Sequence, residues 1–259
     1  MTDARKTLPS RSHTGQGRVR LLCFPYAGGG PSIFRDWRYY ARAPLEICPV
    51  SLPGRGSRIK EPASSKVQIV VVRLAAELAP LFEEPFAFFG YSMGALIAFE
   101  LARHLETTRG SSCRPRMLIV AGRRAPTLPD VRSATYNLPV DAFKDELRRL
   151  QGTPPEILDD HELFDFLLPT LRADFQLVQT YRFQAGAQLH CQLLAIRGAQ
   201  DSEVEPSSLD AWKLQTSGLF AKATFPGNHF FIHHAGRDIL AWIGGQLQRM
   251  QLDSEQLTS

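Results

Sequence analysis

Short apolar segments alternate with longer amphipathic ones along most of the 259-residue chain. The apolar segments, closed by glycine or proline, predict buried strands at residues 19–24, 45–52, 86–89, 117–121, 192–196 and 223–225. Apolar residues at helical spacing predict helices at residues 67–78, 95–104 and 239–250. Strands that alternate with helices at these intervals indicate an α/β fold, in which a mostly parallel sheet is covered by helices on both faces.

One long segment, residues about 138–184, interrupts this alternation because no strand is apparent in it. Asp141 is placed to cap a helix that ends near Gly152. From about Asp160 onwards, apolar residues at helical spacing predict a second helix. A helical insertion of this length between two strands is a candidate lid. The alternative is an ordinary packing helix, and periodicity does not separate the two.

The net charge of +4 is carried by the first 20 residues, which hold five basic side chains and one acidic one. A polar, basic segment of this kind predicts a disordered tail over residues 1–18. A single domain is then expected over residues 19–250, with a flexible C-terminus over residues 251–259. The tail lacks interleaved aromatic residues and any nucleic-acid-binding fingerprint, so we expect no nucleic-acid partner.

Membrane association and metal binding also find no support in the sequence. No apolar run approaches the roughly 20 residues that span a bilayer, and the N-terminus lacks the apolar stretch of a signal peptide. We therefore expect a cytoplasmic protein. Its cysteines are scattered without the spacing of metal ligands, which favours buried free thiols over disulfides or a zinc site.

The strongest chemical motif is the GYSMG sequence at residues 90–94, which fits the pattern GxSxG. A predicted strand precedes it and a predicted helix follows it, which is the context that a nucleophile on a tight strand-to-helix turn requires. The glycines let this turn close, and the helix directs its N-terminal dipole towards developing negative charge. Ser92 is therefore the candidate nucleophile. The alternative is a tight glycine turn with an incidental serine.

A serine hydroxyl needs a base and a supporting acid, and both can be found later in the chain. His229 directly follows the last predicted strand, whereas His233 and His234 are expected in the next helix. Asp201 is the first acid in the loop after the strand at 192–196, and Glu203 is the second choice. Residues 122–126, which follow the strand at 117–121, supply no carboxylate. The chain order of nucleophile, acid and base is that of the α/β-hydrolase fold.

An oxyanion hole needs two backbone N–H groups that point at one position. The residue after the nucleophile, Met93, supplies one candidate, and the loop after the first strand supplies the other, with Ala27 the best placed. The glycines that follow Ala27 suggest a phosphate cradle, but neither GK[ST] nor GxGxxG is present. Nucleotide binding is therefore poorly supported, and a plain glycine-rich loop is the remaining alternative.

Several separated motifs together resemble a known family, the type II thioesterases that accompany polyketide synthases and nonribosomal peptide synthetases. The resemblance spans roughly residues 19–248 and rests on FPYAGG at 24–29, LPGRGSR at 52–58, GYSMG at 90–94, LRADF at 171–175 and GNHF at 227–230. Two positions depart from the family pattern. Tyr91 stands where histidine is usual, and Asn228 stands where a second glycine is usual; both bear on pocket shape more than on proton transfer.

The resemblance implies an acyl or aminoacyl thioester as substrate, held on the phosphopantetheine arm of a carrier-protein partner. It implies hydrolysis of stalled or mis-primed arms without a cofactor of the enzyme's own, and we expect a monomer. It also implies that the insertion is a lid and that residues 171–175 face the site. The residues expected in the pocket or the lid are Tyr26, Tyr91, Asp174, Phe175 and Phe230. No role is assigned to Arg55 or Arg58.

Two other functions stay open at this point. A different hydrolase of the same fold, such as an esterase or a fatty-acyl carrier-protein thioesterase, would use the same three side chains. A non-catalytic binding protein that kept the fold is a further alternative, although such a protein would not need Ser92, Asp201 and His229 together.

Overall fold

A computed structural model of the chain describes residue 7, residues 18–129 and residues 133–256. Its described part is built on one six-stranded sheet with the strand order β2-β1-β3-β4-β5-β6, in which every neighbouring pair is parallel. The strands are β1 (Val19–Phe24), β2 (Leu45–Pro49), β3 (Phe86–Tyr91), β4 (Met117–Ala121), β5 (Gln192–Gly198) and β6 (Phe220–Phe225). The predicted parallel α/β architecture is confirmed.

Helices cover both faces of the sheet. They are α1 (Trp37–Tyr40), α2 (Val67–Glu77), α3 (Met93–Arg109), α4 (Val140–Leu150), α5 (Pro155–Asp159), α6 (His161–Thr180), α7 (Pro206–Asp210) and α8 (Ile232–Gln256). Alternate residues of the strands point to opposite faces. Leu22 and Phe24 of β1 therefore pack with α2 and α3, whereas Leu21 and Cys23 pack with α1 and α8.

The observed bounds differ from the predicted ones at several ends: β2 stops at Pro49, three residues before its predicted end, and β3 continues two residues further, to Tyr91. Strand β6 begins three residues before the predicted start, and α8 begins at Ile232, which is seven residues early. Helix α4 has Pro139 at its N-cap, so the prediction that Asp141 caps it is wrong; Asp141 lies in the first turn. A carboxylate there still favours the helix, because it faces the positive end of the helix dipole.

Most of the predicted disordered tail lies outside the described residues. Thr7 is described, and it is fully buried, with its hydroxyl donating to Glu77 Oε2 at 2.7 Å. At the other end, α8 continues to Gln256, so the segment expected to be flexible from residue 251 is helical up to that point. No helix among the described residues is long and apolar enough to cross a membrane.

The segment between β4 and β5 carries α4, α5 and α6, which matches the predicted helical insertion. It has a small apolar core of its own, formed by Phe143, Leu147, Leu158, Phe164 and Leu171. Asp160 caps α6 by accepting a hydrogen bond from the backbone N–H of Leu163 at 3.0 Å. The insertion is therefore a packed unit placed over one edge of the sheet rather than an extended loop.

Candidate active site

The carboxyl ends of the parallel strands meet at one edge of the sheet, and the predicted site residues lie there. Strand order reverses between β1 and β3, since the chain goes from β1 to β2 on one side and returns to β3 on the other. Such a switch point leaves a crevice between the loops that follow the two strands. The loop after β1 contains Ala27, and the turn after β3 contains Ser92. The topology thus brings the predicted nucleophile and oxyanion loop together.

Ser92 lies on the turn between β3 and α3 in a strained backbone conformation, with φ of 52° and ψ of −106°. Its N–H donates to Ala121 O of β4 at 2.8 Å, which fixes the turn to the sheet. A non-glycine residue in this region costs free energy and is typical of functional turns. The sequence context GxSxG therefore corresponds to a real strand-to-helix elbow.

The glycines of the motif are required by close backbone contacts. A Cβ on Gly94 would overlap the carbonyl oxygen of Phe24 in β1, and a Cβ on Gly90 would overlap the backbone of Gly94 and Ala95. Because all these obstacles are backbone atoms, no side-chain rotation relieves them. Helix α3 can therefore approach β1 and β3 closely only with glycine at both positions.

Asp201 and His229 are hydrogen-bonded to each other. His229 Nδ1 lies 3.0 Å from Asp201 Oδ2 and 3.1 Å from Oδ1, so it donates its hydrogen to a carboxylate whose side chain is fully buried. This leaves Nε2 as the acceptor nitrogen of a neutral ring. Glu203 donates its backbone N–H to Asp201 Oδ1 at 2.8 Å, and buried Arg197 donates to Asp201 O at 3.0 Å.

Glu203, the second choice for the acid, is directed elsewhere. Its carboxylate accepts a hydrogen bond from Arg149 of α4 at 3.3 Å, on the insertion. The other late histidines lie in the first turn of α8, as predicted, and His233 Nε2 lies 3.2 Å from the Tyr26 hydroxyl, whereas His229 is the one that bonds to Asp201. Geometry thus favours Asp201 over Glu203 and His229 over the other late histidines.

Ser92 and His229 line one cavity of about 790 Å³ between the sheet edge and the insertion. The His229 ring lies against the end of β4, since a Cβ built on Gly122 would be 3.4 Å from His229 Cε1. The neighbouring residue Ala121 holds the backbone of Ser92. Both side chains are therefore placed by the same strand end.

Three of the five predicted pocket residues line this cavity, namely Tyr26, Phe175 and Phe230, and Ala27 lines it as well. The other two do not line it, since Tyr91 is the last residue of β3 and Asp174 lies on α6 of the insertion. Tyr91 is fully buried and Asp174 is 2% exposed, and both contact protein groups instead of the cavity. Met93 has a fully buried side chain at the start of α3, so only its backbone N–H is a candidate for contact with substrate.

Tyr91 and Asn228, the two departures from the family pattern, both hold the loop that carries the predicted base. Tyr91 donates its hydroxyl hydrogen to His229 O. Burial, and then the negative charge of Asp201, raises the pKa of Tyr91 well above its ordinary value, so it remains a donor. Asn228 accepts a hydrogen bond from Phe230 N at 2.9 Å and donates to Gln151 Oε1 at 3.3 Å, which connects this loop to the end of α4.

From the sequence, no role is assigned to Arg55, whereas the structure places it against the loop after β1, where it donates to Gly29 O at 3.1 Å. Arg55 forms a forked ion pair with Asp174 of α6, and Asp174 accepts the backbone N–H of Gly28 at 2.7 Å. The partners are 119 residues apart in sequence, and no local pattern joins them. In the sequence, the one indication of this pair is that Arg55 and Asp174 carry opposite charges and lie in two of the family motifs.

Comparison with known proteins agrees with this site. A family model for the thioesterase domain matches residues 19–244. The chain is 41% identical over 244 residues to linear gramicidin dehydrogenase LgrE of Brevibacillus parabrevis, covering 93% of this chain and 92% of that protein. It is 40% identical over 231 residues to gramicidin S biosynthesis protein GrsT of Aneurinibacillus migulanus, covering 89% and 90%.

Among solved structures, the type II thioesterase BorB of the borrelidin biosynthetic cluster is similar to this chain. The TM-score is 0.81 and the identity is 31%, over 90% of this chain and 94% of that one.

One relative, LgrE, carries the word dehydrogenase in its name, whereas the present chain has no GxGxxG sequence for a dinucleotide. The described site instead holds a serine elbow and a His–Asp pair. The chain thus belongs to the thioesterase family and, within it, to the type II thioesterases of polyketide and nonribosomal peptide synthesis.

Proposed function

We propose that this thioesterase hydrolyses stalled or mis-primed acyl and aminoacyl thioesters on the phosphopantetheine arms of carrier proteins. One observation carries the proposal: Ser92 and the Asp201-bound His229 line the same cavity under the helical insertion. A cavity of about 790 Å³ is in the range of small-molecule sites, which bury most of their ligand. It has room for an acyl group and the thiol end of the arm.

In the first step, His229 Nε2 accepts the hydroxyl proton of Ser92 while Oγ attacks the thioester carbonyl. Asp201 stabilises the imidazolium that forms and keeps its Nδ1 hydrogen directed at the carboxylate. The backbone N–H groups of Met93 and Ala27 hold the oxyanion. The carbon–sulfur bond then breaks, His229 returns the proton to the departing thiolate, and the acyl group remains on Ser92.

In the second step, water takes the position of the thiol. His229 accepts one proton from this water, and the oxygen attacks the acyl carbon through the same oxyanion hole. The Ser92–acyl bond breaks, the proton passes from His229 to Ser92 Oγ, and the free acid leaves. The steps use only side chains, backbone N–H groups and water, so no bound cofactor enters the mechanism.

Carrier-protein domains of a synthase are the partners that this proposal requires, and relatives named for gramicidin biosynthesis support it. We place the enzyme in the cytoplasm, acting as a monomer. The four free cysteines are all buried, which suits a reducing compartment.

The direct test uses carrier proteins loaded with acetyl, longer acyl and aminoacyl groups, and follows their deacylation by mass spectrometry. Wild type should unload them, whereas Ser92→Ala should leave them loaded. If wild type cleaves simple esters but no loaded carrier, the editing function is wrong and an ordinary esterase is favoured. A preference restricted to long acyl chains would indicate a fatty-acyl carrier-protein thioesterase instead.

A further inference from the structure

The backbone of the oxyanion loop is held from the insertion by one carboxylate. Asp174 of α6 accepts the N–H of Gly28 at 2.7 Å through Oδ2. Gly28 has φ of +77°, and a Cβ there would lie 2.7 Å from Leu171 Cδ2 of the same helix. The residue directly after Ala27 therefore has a left-handed conformation against α6, and this backbone conformation favours glycine.

Arg55, in the loop after β2, binds the same Asp174 carboxylate. Its Nη1 and Nη2 lie 2.8 Å and 2.7 Å from the two oxygens of Asp174, which is the forked geometry of a guanidinium with a carboxylate. Nη1 also donates to Gly29 O at 3.1 Å. Both side chains are at least nine-tenths buried. Arg55 and Asp174 thus hold one N–H and one carbonyl of the glycine turn.

The turn is also fixed on the other side of Ala27. Tyr26 OH lies 3.2 Å from His233 Nε2 of α8, and its ring packs against Phe230. Ala27 is therefore flanked by two anchored residues, Tyr26 and Gly28. Rotation of the peptide that carries the Ala27 N–H would require one of these anchors to move.

From this geometry we infer that Arg55 and Asp174 are positioning residues, which set the Ala27 N–H in the oxyanion hole and couple it to docking of α6. The inference rests on the proposed role of Ala27 in thioester hydrolysis. A preorganised donor stabilises the transition state only if it already points at the oxyanion, so loss of either side chain acts mainly on kcat.

A second buried pair in the same loop provides the matched control. Arg58, three residues after Arg55, pairs with Glu77 of α2 at 2.8 Å, and these side chains are 1% and 6% exposed, against 8% and 3% in the first pair. Arg58 and Glu77 bond to Thr7, Ser51 and Glu61 rather than to the oxyanion loop. Breaking this pair removes a comparable ionic contact at a distance from the Gly28 backbone.

The experiment compares Asp174→Asn and Arg55→Lys with Glu77→Gln on a small acyl thioester of N-acetylcysteamine. Loss of one oxyanion donor typically lowers kcat by about 10²–10³. We expect kcat of the first two variants to fall at least about tenfold, with KM changed less than about twofold. The affinity of an alkyl trifluoromethyl ketone, which forms a tetrahedral adduct with the serine, should fall by the same factor as kcat/KM. Glu77→Gln should lower the melting temperature and leave kcat in place.

Two results would overturn the inference. The first is a kcat within about twofold of wild type in Arg55→Lys and Asp174→Asn, with only the melting temperature lowered. The second is a rise in KM at constant kcat, which would assign the pair to substrate binding. If Asp174→Asn does not fold, Arg55→Lys decides, since it keeps the charge but loses the fork. Because the substrate carries no carrier protein, failure of the editing function leaves this test intact.

Discussion

Tyr91 donates a hydrogen bond to the backbone carbonyl of His229, 138 residues later in the chain. The residue directly before the predicted nucleophile thus supports the loop of the predicted base. The Tyr91 ring also packs against Phe231, beyond His229 in the same loop. A buried phenol thus holds the backbone of His229, and we infer that it helps to orient the base.

Removing the hydroxyl in Tyr91→Phe should therefore affect both stability and activity. A buried carbonyl left without its donor costs about 1–2 kcal/mol, so the free energy of unfolding in urea should fall by about that amount. We expect kcat to fall roughly tenfold, because a small displacement of the base is costly in the transition state. Tyr39→Phe, at a tyrosine that is 75% exposed, is the control and should change neither quantity. Unchanged kinetics in Tyr91→Phe would exclude a role in orienting His229.

The role of Asp201 can be tested by Asp201→Asn. The amide of the new asparagine can donate a hydrogen bond to His229 Nδ1, which moves the ring hydrogen of His229 to Nε2. In this tautomer Nε2 cannot accept the proton of Ser92. We expect kcat at neutral pH to fall by about 10⁴, as measured by steady-state thioester hydrolysis. Glu203→Gln is the control, because the Glu203 side chain pairs with Arg149 instead of His229. A larger loss in Glu203→Gln than in Asp201→Asn would reverse the assignment of the acid.

His233 predicts a pH dependence of stability. Burial, and then the nearby His234, lowers the pKa of His233, whereas the unfolded chain keeps the ordinary value of about 6.5. The unfolded state therefore binds more protons in the window below pH 6.5. The contribution of His233 to the free energy of unfolding should therefore be greatest above pH 6.5. It should fall as the pH drops through 6.5 towards the lower pKa of the folded state.

The measurement is urea denaturation of wild type and His233→Gln between pH 5 and 8. The variant should lose part of the decline below pH 6.5, because glutamine does not titrate. The groups that face His233 are the Tyr26 hydroxyl and the Phe230 ring, with His234 beside it. Burial raises the pKa of Tyr26, which therefore stays neutral throughout this range. An identical slope in wild type and variant would show that other groups cause the decline. His161→Gln, at an exposed histidine on the insertion, is the control for loss of an imidazole.

The fold could be predicted from the sequence where burial alone decides the pattern. Strands β1 and β4 have the predicted bounds because every residue of β4, and all but one of β1, is buried and apolar segments mark them. Strand β6 was predicted too short because it lies at the edge of the sheet and mixes buried with exposed positions. Thr7 could not be predicted, since its burial depends on Arg58 and Glu77, far along the chain.

The candidate site likewise contains residues that the sequence predicts and a contact that it does not. Ser92, Asp201 and His229 could be found because each follows a recognisable strand, and parallel strands end at one edge. Asp174 is expected at the site from the family resemblance of residues 171–175, and neither the resemblance nor helical spacing reveals that its carboxylate pairs with an opposite charge. Its pairing with Arg55 joins two loops and a helix from three parts of the chain, and only the folded backbone shows this contact.

The strain at Ser92 leads to a prediction about stability alone. With φ of 52° and ψ of −106°, serine or alanine at this position is strained by about 1–3 kcal/mol, whereas glycine is not. Glycine loses about 0.5–1 kcal/mol of this advantage through the entropy of the unfolded chain. Ser92→Gly should therefore be more stable than Ser92→Ala by about 1 kcal/mol, or roughly 2–4 °C in melting temperature, and we expect both to be inactive. The same pair of substitutions at Ser112, where φ is negative, should give the opposite order. If Ser92→Gly melts below Ser92→Ala, the backbone strain at the elbow is not what the dihedral angles imply.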